Sequence, residues 1–133
     1  MACFSLRLYV DEIDCGFELM KNLTLVNPDD SVLKCDIDGL DWEDVAQMYK
    51  HAPFYDRPAA DWQRAFAASY AVVLAVIPGS YGRQKLVGAA RANSDGVFYA
   101  SVFDVAVAKD HQHKGIGRAV VGALLERLPV DRI

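Results

Sequence analysis

The sequence predicts an α+β fold with a mixed, mostly antiparallel sheet flanked by helices. Apolar patterns follow the order β, α, α, β, β, β, α along the chain. Short turns join the three central strands, which is typical of antiparallel hairpins. Strands and helices do not alternate regularly, so a doubly wound parallel sheet is not expected. The length of 133 residues and the hydrophobic content of 53% predict one domain, residues 1–133, with a buried core.

The first strands are predicted from short apolar patterns near the N-terminus. Strict alternation places four apolar side chains on one face of a strand: Phe4, Leu6, Leu8 and Val10. Residues 17–26 fit a strand or a helix equally well. Another short strand begins at Val32 and is closed by Gly39.

Two helices are predicted next, over residues 42–52 and 57–70. The first has Asp41 as a favourable N-cap and three buried positions at helical spacing, Val45, Met48 and Tyr49. Pro58 stands near the start of the second helix, where its missing N–H costs nothing. One side of that helix carries a stripe that we interpret as core packing rather than ligand contact: Trp62, Ala65, Phe66, Ser69 and Tyr70.

The middle of the chain is predicted to be a β meander. Strands span residues 71–77 and 85–92, residues 93–96 form a hairpin turn, and a long strand covers residues 97–108. A helical pattern then returns with one apolar stripe: Ile116, Val120, Val121, Leu124, Leu125 and Leu128.

Charge, hydropathy and cysteine usage exclude several classes of function. The net charge of −4 does not suit a nucleic-acid surface, which needs clustered lysine and arginine. No apolar run is long enough to span a bilayer, so no membrane partner is expected. The N-terminus alternates instead of forming a signal peptide, which predicts a cytoplasmic protein, or a plastid one if a transit segment is missing. Three widely spaced cysteines without a CxxC pair are interpreted as reduced thiols: Cys3, Cys15 and Cys35.

Residues 110–117, DHQHKGIG, carry the most distinctive chemistry, and three interpretations compete. A metal site through His111 and His113 lacks a cysteine or carboxylate at ligand spacing, so no metal is expected. A nucleotide P-loop requires Gly-Lys followed by a hydroxyl residue, whereas here Lys114 precedes Gly115. The glycine spacing of dinucleotide-binding folds is also absent.

The third interpretation is a strand, a tight loop and a helix whose N-terminus binds a diphosphate. Gly115 and Gly117 lack Cβ atoms, so their backbone N–H groups can approach phosphate oxygens closely. The first helical turn offers unpaired N–H donors and the positive end of the helix dipole. Lys114 and Arg118 add positive charge beside them.

These residues carry a resemblance to a known family. The stretch FDVAVAKDHQHKGIGRAVVGALLE resembles motif A of the GCN5-related N-acetyltransferases, whose core is Gln/Arg-x-x-Gly-x-Gly/Ala and is written here from Gln112 to Gly117. Upstream, LVGAARANSDG with Arg91 resembles the family's third strand. Residues 87–128 are similar to plastid and cyanobacterial-type arylalkylamine (serotonin) acetyltransferases, and the resemblance covers roughly residues 33–133.

The resemblance implies the acyl-CoA N-acyltransferase fold and acetyl-CoA as acetyl donor, bound where the fourth and fifth strands splay apart. It implies transfer to a primary amine by direct attack, the acceptor being a small-molecule or peptide amine, with an arylalkylamine as first choice. The residues implied for donor binding are Val105, Ala106, Val107, Gln112, His113, Lys114, Gly115, Ile116, Gly117 and Arg118.

Two residues are implied to act in the chemistry. The backbone N–H of Val105 would polarise the acetyl carbonyl, as an oxyanion hole does. Asp104 is either the carboxylate that meets the cationic amine or a hydrogen-bonded structural residue. Strict alternation along the strand would place its side chain opposite those of Phe103 and Val105. No tyrosine stands in the family's general-acid position, so no general acid is assigned.

Family members normally continue past the motif A helix into further strands and a helix, which supply the other wall of the cleft. This sequence ends at Ile133 without them, so we expect a C-terminally incomplete fold. The alternative function is therefore a catalytically inactive or truncated acyl-CoA-binding or interaction module. An open strand edge would also favour association, and a homodimer through that edge is a further expectation.

Overall fold

The computed structural model describes residues 3–4, 31–51, 56–79, 84–130 and 133. The rest of the predicted first strand, and the ambiguous residues 17–26, lie outside them. The helices and strands are, in chain order, β1 (Cys3–Phe4), β2 (Val32–Lys34), α1 (Trp42–Lys50), α2 (Ala59–Ala68), β3 (Ala71–Pro78), β4 (Gln84–Ser94), β5 (Ala100–Val107) and α3 (Ile116–Glu126). This confirms the predicted order from β2 onward.

The described strands form one sheet in the order β1-β5-β4-β3-β2, and each of their pairings is antiparallel. Helix α3 covers one face of the sheet and buries an apolar cluster that includes Val73, Val87, Ile116, Val120 and Leu124, here called the α3-side cluster. Helices α1 and α2 cover the other face and bury the α1/α2-side cluster, which includes Val45, Tyr49, Trp62, Phe66, Leu74 and Ala106. The fold is therefore the predicted α+β arrangement, with a core on both faces of the sheet.

Helix α1 begins where the sequence predicts and is tied to the sheet by a carboxylate. The Asp41 side chain accepts a hydrogen bond from the Glu43 backbone N–H at 3.0 Å, which satisfies one of the orphan donors of the first turn. Asp44 Oδ2 accepts a bond from the Leu86 N–H, also at 3.0 Å. Because Asp44 lies in the first turn, this contact fixes the helix start against β4.

Helix α2 is shorter than predicted. Pro58 is its N-cap, and the chain leaves the helix at Ser69, whose ψ of 147° is extended. Trp62 and Phe66 are buried, as predicted for core packing. Tyr70 was wrongly placed in the helical stripe, because its N–H bonds the Ala92 carbonyl at 2.9 Å and the residue is 47% exposed. Pairing with β4 therefore ends the helix before its apolar pattern ends.

The β4–β5 hairpin also differs from its prediction. Strand β4 continues to Ser94, and β5 begins at Ala100, so residues 97–99 do not belong to the long strand that was expected. The Asp95 carboxylate accepts three backbone N–H bonds, from Val97, Phe98 and Tyr99, at 2.7–3.2 Å. These bonds lower the pKa of Asp95. A side chain that collects successive N–H groups holds them in a turn, so Val97 and Phe98 do not extend the strand.

Candidate functional site

The candidate site begins at an irregularity in β5. Ala89 pairs with Ala106 and Arg91 pairs with Phe103, so Asp104 and Val105 together face a single residue of β4. This is a β-bulge, which bends a strand and increases its twist. Asp104 has a φ of +54°, in the left-handed region that residues other than glycine seldom adopt. Pairing with β4 resumes directly after the bulge, at Ala106 and Val107, so the bend redirects β5 without detaching it from β4.

The bulge changes which face of the sheet the side chains of β5 occupy. Ala100 and Val102 belong to the α3-side cluster, and Val105 and Val107 pack against the same cluster after the bulge. Strict alternation would place these two pairs on opposite faces, because one pair has even and the other odd positions. The extra residue therefore restores an apolar face toward α3 where the cleft is formed.

Asp104 is held by Arg91, and its predicted orientation is partly wrong. Arg91 Nε donates to Asp104 Oδ2 at 2.6 Å, and the two side chains are only 15% and 7% exposed. The Arg91 guanidinium also lies 5.5 Å from the centre of the Phe103 ring. Asp104 and Phe103 thus share one neighbour, whereas alternation placed them on opposite faces. The bulge is the physical reason for this difference.

A tight loop leads from β5 to α3. The Ala108 N–H bonds the Val87 carbonyl at 2.8 Å, which keeps the loop entrance on the sheet. A short 3₁₀ turn follows at Lys109–His111. The Gln112 side-chain amide then donates to the Val107 carbonyl at 3.3 Å and closes the loop back onto the end of β5. The loop is therefore anchored at both its first and its middle part.

The two glycines of the loop have different structural roles. Gly115 is the N-cap of α3 with a φ of +87°, a left-handed conformation that glycine adopts without a side-chain penalty. Its Cβ would meet nothing within 4 Å, so its requirement is conformational. A Cβ on Gly117 would lie 3.3 Å from Val107 Cγ2, so this glycine permits close packing of helix on strand. The N-cap position of α3 supplies no side-chain hydrogen bond. Within the described part of the chain, the first-turn N–H groups therefore have no capping side chain.

These elements enclose a cleft of about 300 Å³ between the end of β5 and the start of α3. All the residues predicted to bind the donor line it except Lys114, which is exposed. His111 also lines the cleft and was not predicted, because loop histidines carry no sequence signal for this role. The lining is Val105, Ala106, Val107, His111, Gln112, His113, Gly115, Ile116, Gly117 and Arg118. The structure therefore brings the glycine loop and the bulged strand into one site.

The edge of β5 is less open than the sequence suggested. Cys3 pairs with Ala106 and Phe4 pairs with Val105, so β1 lies along the edge at these two positions. A ligand arm that pairs with this edge as an added strand would have to displace β1 there. Val107 lies beyond this pairing and lines the cleft.

Comparison with known proteins identifies the family. Residues 37–131 match the acetyltransferase (GNAT) family. The chain belongs to this family. An uncharacterized N-acetyltransferase, ycf52 from Pyropia yezoensis, is 37% identical over 57 residues, covering 43% of this chain and 33% of the relative. The chloroplastic GCN5-related N-acetyltransferase 2 of Arabidopsis thaliana is 44% identical over 45 residues, covering 34% and 17% respectively. The matched segments thus span a third or less of these relatives.

Solved structures support the GNAT fold. A crystal structure of a candidate acetyltransferase from Deinococcus radiodurans R1 superimposes with a TM-score of 0.64 at 22% identity. The superposition covers 77% of this chain and 71% of that structure. Among the described residues there is no helix long and apolar enough to cross a membrane. Those residues also contain no group of three or more histidine, cysteine or acidic side chains that could hold a metal ion.

Proposed function

We propose that this chain transfers an acetyl group from acetyl-CoA to a primary amine of a small molecule or peptide. The observation that carries the proposal is the cleft in which the bulged end of β5 meets the uncapped N-terminus of α3. Membership of the GNAT family supports acetyl transfer in general. The identity of the amine, and an arylalkylamine in particular, rests on the sequence resemblance alone.

The residues present suit the two ends of the donor. A diphosphate is anionic and suits the uncapped N–H groups of α3, with the Arg118 side chain beside them. Residues 112–118 are therefore proposed to hold the pyrophosphate, including Lys114 at the exposed turn of the loop. The pantetheine arm is proposed to pass the backbone of Val105, Ala106 and Val107, where small and branched side chains leave an apolar trough, and to displace β1 from its pairing with Val105 and Ala106.

Acetyl-CoA supplies an activated acetyl thioester. In the proposed reaction the amine first loses a proton to a base or to water, and its neutral nitrogen forms a bond to the acetyl carbon while the carbon–sulfur bond breaks. The nitrogen then releases a second proton, and the leaving thiolate takes up a proton to become the CoA thiol. The Val105 N–H is proposed to stabilise negative charge on the carbonyl oxygen, since it lies within the bulge at the cleft. Asp104 is proposed to attract the cationic amine or, through its bond to Arg91, to hold the strand in place.

Two measurements on the whole chain test this proposal. Thiol release from acetyl-CoA is followed with a panel of primary amines, and CoA binding is measured by calorimetry. Turnover with at least one amine supports acetyl transfer. Binding without turnover on any amine would instead identify a catalytically inactive CoA-binding module, which was the alternative from the sequence.

A substitution at Gly117 tests the donor site itself. A Cβ added at Gly117 would already lie 3.3 Å from Val107 Cγ2, so a leucine side chain there would fill the cleft between α3 and β5. Loss of one charge-assisted contact to phosphate is worth about 1.5–3 kcal/mol, so Gly117→Leu should weaken CoA binding roughly 10- to 150-fold. Glu126→Leu introduces the same side chain at an exposed position at the other end of α3 and serves as control. Equal CoA affinity in both variants would contradict the assignment.

Domain extent, location and assembly remain predictions. We propose that residues 1–133 contain a single GNAT domain. We propose a plastid or cytoplasmic location, and the plastid is supported by the chloroplastic name of one relative. A homodimer through the sheet edge is also proposed; β1 already pairs with part of the β5 edge, so such a contact would use other residues of the sheet.

A further inference from the structure

The left-handed backbone of Asp104 raises the question of what holds it. A residue other than glycine with a φ of +54° is strained, and such conformations persist where the surrounding structure fixes them. Aspartate tolerates this region better than most residues, but tolerance does not select it over an ordinary strand conformation. The surroundings of Asp104 must therefore supply contacts that favour the bulge.

The first of these contacts comes from α1. Tyr49 Oη donates a hydrogen bond to the backbone carbonyl of Asp104 at 2.6 Å. The Tyr49 side chain is fully buried and stacks on Trp62, with ring centroids 4.0 Å apart and an interplanar angle of 13°. A ring packed in this way cannot swing, so its hydroxyl is a fixed donor aimed at the bulge.

The second contact comes from β4 and fixes the side chain. Arg91 Nε donates to Asp104 Oδ2, and Arg91 Nη1 donates to Ser69 Oγ at 3.3 Å. Ser69 Oγ in turn donates to the Ala65 carbonyl at 2.7 Å. The guanidinium is thereby oriented by the end of α2. Tyr49 of α1 thus holds the Asp104 carbonyl. Arg91, which is oriented by the end of α2, holds the Asp104 carboxylate.

We propose that Tyr49 and Arg91 are positioning residues that hold the β5 bulge and thereby orient the Val105 amide at the cleft. The expected effect on reaction rate rests on the proposed acetyl transfer. The structural role of Tyr49 and Arg91 in holding the bulge does not depend on that reaction. Neither side chain lines the cleft, so both act through Asp104. The helices on one face of the sheet would in this way set the geometry of a cleft that opens beside the helix on the other face.

The experiment combines a backbone readout with kinetics on the full chain. Tyr49→Phe removes the hydroxyl and keeps the stacked ring, and Arg91→Lys keeps the charge but cannot make both contacts of the planar fork. Tyr99→Phe removes a hydroxyl from an exposed ring at the hairpin and is the matched control. For each protein, the amide resonances of Asp104, Val105 and the glycine loop are compared by nuclear magnetic resonance, and kcat and KM are measured with acetyl-CoA.

In the two test variants, the Asp104 and Val105 resonances should move while those of the glycine loop and the control stay in place. Because a misplacement of about 1 Å near reacting groups can cost on the order of a hundredfold, kcat should fall roughly tenfold or more. KM for acetyl-CoA should change by a smaller factor than kcat, since the pyrophosphate site is untouched and only the pantetheine contact at Val105 is altered.

Unmoved Asp104 and Val105 resonances in both variants would overturn the proposal. So would moved resonances with an unchanged kcat in an active enzyme. If the unsubstituted chain shows neither CoA binding nor thiol release, the proposed function fails. The resonances of the two variants would then still decide whether Tyr49 and Arg91 hold the bulge.

Discussion

Replacing Gly88 with alanine should push helix α3 away from the sheet. Gly88 lies in β4 beneath the start of the helix, and an added Cβ would lie 2.8 Å from Ile116 Cγ2, 3.4 Å from Ala75 Cβ and 3.5 Å from the Ala106 carbonyl oxygen. Carbon atoms in contact prefer separations of about 3.5–4.0 Å. Ile116 must therefore retreat by roughly 1 Å, and its β-branched side chain has few rotamers with which to do so.

The expected cost follows from this overlap. Inserting a methyl group into a packed core costs about 1–3 kcal/mol. Alanine regains about 0.5–1 kcal/mol over glycine within a strand, because it loses less backbone freedom on folding. Because the 2.8 Å contact with Ile116 is a severe overlap, the packing cost should lie in the upper part of its range, at about 2–3 kcal/mol. We therefore expect Gly88→Ala to lower the free energy of unfolding by about 1–2.5 kcal/mol, which corresponds to a melting temperature lower by roughly 4–9 °C.

Urea unfolding followed by circular dichroism measures this change, and a double-mutant cycle with Ile116→Ala tests its cause. Ile116→Ala alone should cost about 2–5 kcal/mol, because the side chain is 1% exposed. In the double variant the new methyl group occupies part of the vacated space, so the two costs should fall short of additivity by at least about 0.5 kcal/mol. Strict additivity, or a stabilising Gly88→Ala, would refute the steric argument.

The remaining predictions concern local contacts. Asp41→Ala should lower stability by about 1 kcal/mol through loss of the α1 cap, measured by urea unfolding, while Gln47→Ala on the exposed side of the helix should change it little. Bonds from three backbone N–H groups lower the pKa of Asp95. These bonds to the ionised carboxylate therefore stabilise the fold above the unfolded-state pKa of Asp95, and this stabilisation is lost as the pH falls through the folded-state pKa. A titration of the Asp95 carboxyl group by nuclear magnetic resonance should show a lowered midpoint. Asp95→Asn should remove the pH dependence of stability that Asp95 causes. A midpoint at the ordinary value for aspartate would contradict the hydrogen bonds that hold this turn.

Local patterns were sufficient for most of the helices and strands. The Asp41 cap, the helical spacing of α1 and the glycine loop before α3 are signals carried by a few neighbouring residues, and the structure agrees with each of them. Of the two boundaries that the sequence missed, one is set by a distant strand partner and the other by a nearby side chain. Tyr70 continues an apolar pattern but pairs with Ala92, and residues 97–99 continue a β pattern but are gathered by Asp95.

The sequence by itself determined the order of the elements and the family, and it located the residues that line the cleft apart from His111. Periodicity, capping and glycine placement are local properties, so a single chain can express them without its fold being known. Only the tertiary structure decided the bulge at Asp104. It depends on the register between β4 and β5 and on Tyr49, which is 55 residues away in sequence. No local pattern records such a contact, because its free energy arises only when distant segments pack together.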